Sequence, residues 1–177
     1  MNKKLQFPGL LYVLSFFFNN TMAQKNYNLE FNKAVYKSQH LTLEGKTIEV
    51  RAYENIVYVQ HPVDTSYQVM NIYIPEDYFH NKSINGYTAT SAPVFFPNRV
   101  GGYMPAKPAT ALNTSAGNGT GIISQNSASA VVVAIFKGYI VASAGARGRT
   151  NKNQVGLYTG KSPAAIVDLK AAIRYLK

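Results

Sequence analysis

Cysteine is absent from all 177 residues. The chain therefore has no disulfide framework, no lipid-modified cysteine and no thiol nucleophile. Without covalent staples, a stable fold has to come from a hydrophobic core, and the chain has about one domain's length in which to build it. Acidic residues are scarce, 8 against 18 Lys+Arg, for a formal net charge of +10. The basic residues do not gather: Lys25, Lys33, Lys37, Lys46, Arg51, Lys82, Arg99 and Lys107 are scattered, with no tract and no aromatic interleaving. That pattern argues against a nucleic-acid partner and for solubility or attraction to anionic ligands and surfaces. Metal-ligand spacing such as His-x-x-x-His is also missing, so no metal site is expected.

Long apolar runs are missing too. The longest begins after Lys3 and Lys4 with Leu10, Leu11, Val13, Leu14 and Phe16-Phe17-Phe18, and ends at Asn19-Asn20 before Thr21-Met22-Ala23. It falls short of the ~20 residues that span a bilayer. Basic residues, a short hydrophobic stretch and a small-residue site, in that order, make a secretory signal peptide over 1–23, with Gln24 as the mature N-terminus. The mature protein is then expected to be exported, periplasmic or secreted, with no stable membrane insertion. Lys3 and Lys4 leave with the signal, so 16 basic residues face 8 acidic ones and the mature chain carries a formal +8.

After an N-terminal extension over 24–46, strands dominate. Thr47, Glu49 and Arg51 alternate with Ile48, Val50 and Ala52, and Glu44-Gly45-Lys46 supplies a turn before them, which reads as an antiparallel start to a sheet. A second extended run ends at Pro75, which cannot donate to a ladder. A polar loop with Asn85-Gly86 follows. Val94-Phe95-Phe96 is the short apolar run expected of a strand buried on both faces. It leads to Gly101-Gly102, where the backbone is expected to turn sharply or approach a ligand closely. Residues 110–127, rich in Ala, Asn, Gly, Ser and Thr, read as a long loop.

Between Ser129 and Gly138 the chain is apolar nearly all round, which fits a buried helix closed by a glycine, although the valines keep a strand open as a rival. Residues 139–143 read as another buried strand. The last element is an amphipathic helix with Ser162 as N-cap, Pro163 in the first turn, and a stripe of Ile166, Leu169, Ile173 and Leu176. Strands alternating with helices imply α/β architecture with a mostly parallel sheet. In such a sheet an amphipathic helix delivers the chain to the next strand. The helix still runs at Lys177, so the sequence reads as truncated, leaving 139–143 without its next parallel neighbour.

Four blocks in order, YQVMNIYIP at 67–75, PVFFPNRVGGYMP at 93–105, GYIVASAGARGRT at 138–150 and GKSPAAIVDLKAA at 160–172, resemble the N-terminal portion of bacterial tannases and feruloyl-esterase-like α/β-hydrolases. The resemblance covers 52 onward. It implies a partial α/β-hydrolase domain over 47–177 that hydrolyses carboxylic esters, aromatic or phenolic ones in particular, with a small-molecule ester substrate and no cofactor. It also implies that Gly101 and Gly102 form the oxyanion loop, whose backbone N–H would join the one following the nucleophile. Arg99-Val100 replaces the commoner histidine and glycine of that loop, which leaves the donating amide open, and a plain turn is the alternative. Serine, acid and histidine follow in that order in this fold, so all three would lie beyond Lys177 and the chain by itself would be inactive.

Thr114-Ser115-Ala116-Gly117 mimics a nucleophile elbow, but no buried strand feeds Ser115, and Asn113 stands where the first glycine belongs. His40, His61 and His80 sit in extension, turn and loop, and read as surface residues. The competing class is a non-catalytic secreted domain that binds a surface or carbohydrate through its many tyrosines.

Overall fold

A computed structural model of the chain describes residues 25–111 and 129–177. The stretch read as a signal peptide, Ser115 and most of the Ala/Asn/Gly/Ser/Thr-rich stretch lie outside these residues.

The chain's first strands confirm the antiparallel start. Glu44 and Gly45 take φ of 50° and 77°, the positive values a tight two-residue hairpin needs, and they join β1 (Lys37–Leu43) to β2 (Lys46–Val57). β3 (Val69–Pro75) pairs antiparallel with β2 across a register shift between Tyr53 and Ile56. Asn85-Gly86 closes a second tight turn, with φ of 49° and 84° and paired backbone bonds between Ile84 and Tyr87. The sheet order is β1-β2-β3-β5-β4, where β4 is Val94–Phe95 and β5 is Ile140–Ala144.

A mixed sheet results, rather than the mostly parallel one expected. Among the described strands, β4–β5 is the parallel pairing, and β1–β2, β2–β3 and β3–β5 are antiparallel. β5 is also interior, between β3 and β4, and has neighbours on both sides. The expectation that residues 139–143 would be left without a parallel neighbour, with backbone groups unpaired, is overturned, because β4 pairs parallel along one side and β3 antiparallel along the other. β4 in turn is only two residues long, with Val94 54% exposed, so it is not buried on both faces.

Helices cover both faces. On one, Val131, Val132, Ala134 and Ile135 of α1 (Ala130–Phe136) pack with Val50, Ala52, Tyr73 and Val141. The helix reading for this apolar segment holds over its strand rival: Ser129 caps it by accepting from the Val132 amide at 3.3 Å, and Gly138 follows with φ 87°. On the other face, Met70, Ile72, Ala142 and Ala144 of the sheet meet Ala172 of α2 (Ala164–Tyr175), with Tyr53 and Tyr58 completing the cluster. Complete burial of a side chain such as Ile135 or Val141 contributes roughly 1.5–3 kcal/mol.

α2 departs from its sequence pattern. Pro163, not Ser162, occupies the cap position, and no side chain caps the helix. The buried residues are Ala165, Asp168 and Ala172, while Ile166 and Ile173 are 56% and 47% exposed. Ala172 joins the sheet's buried cluster, flanked by half-buried Leu169, Ala171 and Tyr175. The reason Asp168 turns inward is the hydrogen-bond network described next.

Candidate functional site

Because β4 and β5 run parallel, their carboxyl ends open on the same edge of the sheet, the edge where ligand sites of α/β sheets form. Two loops leave there, one after Phe95 and one after Ala144, and they are joined backbone to backbone. Ala106 and Ala146 exchange N–H···O bonds of 3.0 and 2.9 Å, and the Arg149 N–H donates to Tyr103 O at 2.6 Å. Glycine permits this stacking. A Cβ on Gly148 would lie 2.2 Å from Pro105 N, and one on Gly160 would lie 2.0 Å from Gly148 O. The two glycines fall within the blocks at 138–150 and 160–172, and nothing local in the sequence marks the contact between them.

Gly101 and Gly102 sit at the exposed tip of the first loop. The Met104 N–H donates to Gly101 O at 3.0 Å, and Gly102 and Tyr103 have φ of 57° and 58°, the signature of a type I′ turn. The sharp turn expected here is present. An added Cβ would meet nothing within 4 Å at either glycine. Glycine is thus favoured at 102 by backbone conformation and not by crowding, although Tyr103 accepts the same φ, and neither reason applies at Gly101. Among the described residues, one cleft lies between Asp64-Thr65-Ser66 and Lys152-Asn153-Gln154.

Both ends of this loop return to two buried polar residues on adjacent strands. Ser143 of β5 donates its hydroxyl to Pro97 O at 2.8 Å and accepts from the Ala109 N–H at 2.9 Å. Asn71 of β3, its register partner, donates to Ala109 O at 3.1 Å and accepts from the Asn55 N–H at 2.9 Å.

The second loop is held by Asp168, 1% exposed, whose carboxylate accepts four hydrogen bonds. They come from Gln68 Nε2 (2.9 Å) and from Arg147 N (2.9 Å), Nε (3.0 Å) and Nη2 (2.8 Å). Arg147 also donates from Nη1 to Thr159 O at 2.9 Å, and Gln68 Oε1 accepts the Val63 and Asp64 amides at 2.6 and 2.9 Å. Hydrogen bonding to Asp168 holds the Arg147 guanidinium above its ordinary pKa. Burial does the same for the Tyr58 hydroxyl, which donates to Gly145 O at 2.6 Å on the same loop. A charge pair of this kind, Arg147 with Asp168, gave no local signal in the sequence.

His40, His61 and His80 are all exposed, as expected, and none approaches the Gly101-Gly102 turn through a described bond. His80 lies 3.1 Å from Glu76. Among the described residues, no group of three or more His, Asp or Glu could hold a metal ion.

No family model and no curated protein matches the chain. Solved structures do. The tannase of Fusobacterium nucleatum is 52% identical, with a TM-score of 0.76 over 85% of this chain and 30% of that one. The tannase of Lactobacillus plantarum is 36% identical, with a TM-score of 0.73 over 84% of this chain and 30% of that one. A tannin acyl hydrolase in complex with ethyl gallate is 37% identical, with a TM-score of 0.72 over 84% of this chain and 31% of that one. The chain thus spans less than a third of the length of the proteins it matches. Over most of its own length, this chain is tannase-like.

Proposed function

We propose that this chain supplies the oxyanion-loop part of an exported serine ester hydrolase acting on aromatic or phenolic carboxylic esters. The observation that carries this reading is the 52% identity to a tannase over 85% of the chain. Related structures hold ethyl gallate and 3,4-dihydroxybenzoate, an aromatic ester and an aromatic acid. Placement of the Gly101-Gly102 turn beyond the carboxyl end of β4 supports it further.

In this reading a serine Oγ attacks the ester carbonyl carbon while a histidine takes its proton, and the carbonyl π electrons move to oxygen. A backbone N–H of the Gly101–Met104 turn and the one following the nucleophile stabilise that oxyanion. Collapse expels the alcohol, which receives the histidine's proton, and water then releases the acid from the acyl-serine. In this reading the serine, histidine and acid come from the remainder of the tannase-like fold; the side-chain bond described for the histidines runs from His80 to Glu76, not to a serine hydroxyl.

The test exchanges this chain's matching residues for those of the Fusobacterium nucleatum tannase. The chimera is expected to hydrolyse methyl gallate with kcat within about tenfold of its parent, and the 177-residue chain alone to show no turnover. A folded but inactive chimera would count against the reading. Saturable turnover by the chain alone, lost in Ser115→Ala, would overturn it by placing the nucleophile at Ser115.

Export is proposed from the Lys3-Lys4, apolar and Thr21-Met22-Ala23 order. Among the described residues, no helix is long and apolar enough to cross a membrane. N-terminal sequencing of exported protein is expected to begin at Gln24, and recovery of Met1 would refute cleavage.

A further inference from the structure

We infer that Ser143 and Asn71 are positioning residues: a cross-strand polar clamp that holds the Gly101-Gly102 turn in its catalytic geometry from beneath, without touching substrate. The inference rests on the oxyanion reading of that turn.

Both residues are register partners on β3 and β5 and face the same side of the sheet, where Ser143 is 0% and Asn71 3% exposed. A fully buried hydroxyl and amide are costly to desolvate unless hydrogen-bonded and would not be placed there for packing alone. The bonds described for them run to backbone of the loop or of β2, and Asn71 also lies within side-chain hydrogen-bonding reach of the Tyr73 hydroxyl. The Ser143 oxygen joins the two ends of the loop, donating to Pro97 O and accepting from Ala109 N, so that the intervening chain closes over one atom. Asn71 holds Ala109 from the other side through its carbonyl, and its own orientation is set by the Asn55 amide, where the backbone takes φ 60°. Asn71 therefore presents its NH2 group, not its oxygen, to the loop.

Between these anchors the loop is held laterally by the Ala106–Ala146 bridge and by Arg149 to Tyr103 O. The tip exposes Gly101 and Gly102, is closed by the Met104–Gly101 bond, and rests through the Tyr103 and Met104 backbone against Gly148 of the second loop. Its position is consequently inherited from its anchors. A displacement of about 1 Å at a group that stabilises developing charge can cost about 10²-fold in rate. An anchor defect would thus act on the transition state, where the oxyanion exists, and little on ground-state binding.

The experiment compares Ser143→Ala, Gly102→Val and Val50→Ala in the active chimera, the last being a core truncation on β2 that removes none of the loop's described hydrogen bonds. Ser143→Ala is expected to lower kcat for methyl gallate about 10- to 100-fold with KM nearly unchanged. Val50→Ala should lower Tm by at least as much without that split. In the 177-residue chain, hydrogen exchange at the Met104 and Ala106 amides should accelerate at least about tenfold in Ser143→Ala, with the β2–β3 amides unaffected. Asn71→Asp, which keeps the acceptor for Asn55 but loses the donor to Ala109, should repeat both effects. A drop in kcat for Gly102→Val with normal kcat in folded Ser143→Ala would overturn the clamp and leave the oxyanion reading standing. Unchanged kcat in Gly102→Val would instead remove the oxyanion reading itself. If Ser143→Ala fails to fold in the chimera, the exchange data decide: unchanged protection at Met104 and Ala106 in Asn71→Asp refutes the clamp.

Discussion

Replacing Gly102 with valine in the chimera is expected to lower kcat for a gallate ester by about 10²- to 10³-fold, the loss typical of one oxyanion donor. The cause is conformational. Gly102 has φ 57° and is followed by Tyr103 at 58°, so the turn needs two successive positive-φ residues. A β-branched residue in that region costs about 1–2 kcal/mol, and the turn relieves it by rotating its peptide planes, which re-aims the amides. Space is not the obstacle, since a Cβ at 102 meets nothing within 4 Å. Gly101→Ala provides the contrast: its φ lies outside the positive range and its surroundings are equally open, so kcat should change less than about threefold. Steady-state kinetics on both variants, with Tm measured alongside, decide the matter. Equal losses, or none at Gly102→Val, would refute the assignment of Gly102.

Asp168→Ala is expected to destabilise the 177-residue chain by about 3–5 kcal/mol, enough to leave much of it unfolded. The substitution leaves the Arg147 guanidinium, whose side chain is 11% exposed, without the carboxylate that receives three of its N–H groups, counting its backbone amide. Gln68 loses its partner as well. The stranded charge dominates the cost, so removing it should recover stability: the double substitution Arg147→Met with Asp168→Leu is expected to regain most of the loss. Lys170→Ala, on the exposed side of the same helix, should stay within about 0.5 kcal/mol of the parent. Urea denaturation midpoints test all three. An Asp168→Ala midpoint equal to the parent's would show that the network contributes nothing to stability.

Much of the local structure was legible in the residues. Glu44-Gly45 announced the hairpin because few other pairs accept two positive φ values, and Ser129 with Gly138 bracketed α1 through capping chemistry that acts within one turn. Val94–Phe95 misled, since a short apolar run carries no sign of whether one or both faces are covered, and here it lies at the sheet's edge. The helix stripe Ile166, Leu169, Ile173 and Leu176 misled for a different reason. Periodicity identifies a helix whichever way it faces, but the facing is settled by what the sheet offers.

By itself, then, the sequence determined the tannase likeness, the hairpin and the helix α2, while it left α1 open to a strand and Gly102 open between a sharp turn and a close approach; these readings rest on residues close together within each segment. Tertiary structure alone decided which side of α2 turns inward, the joining of the two loops through Gly148 and Gly160, and the polar anchors beneath them. Gln68 meets Asp168 across 100 positions and Ser143 meets Pro97 across 46. Such pairs leave no periodic trace, because a buried polar group is stabilised only when its distant partner arrives with the right geometry, and that partner is set by the path of the whole chain.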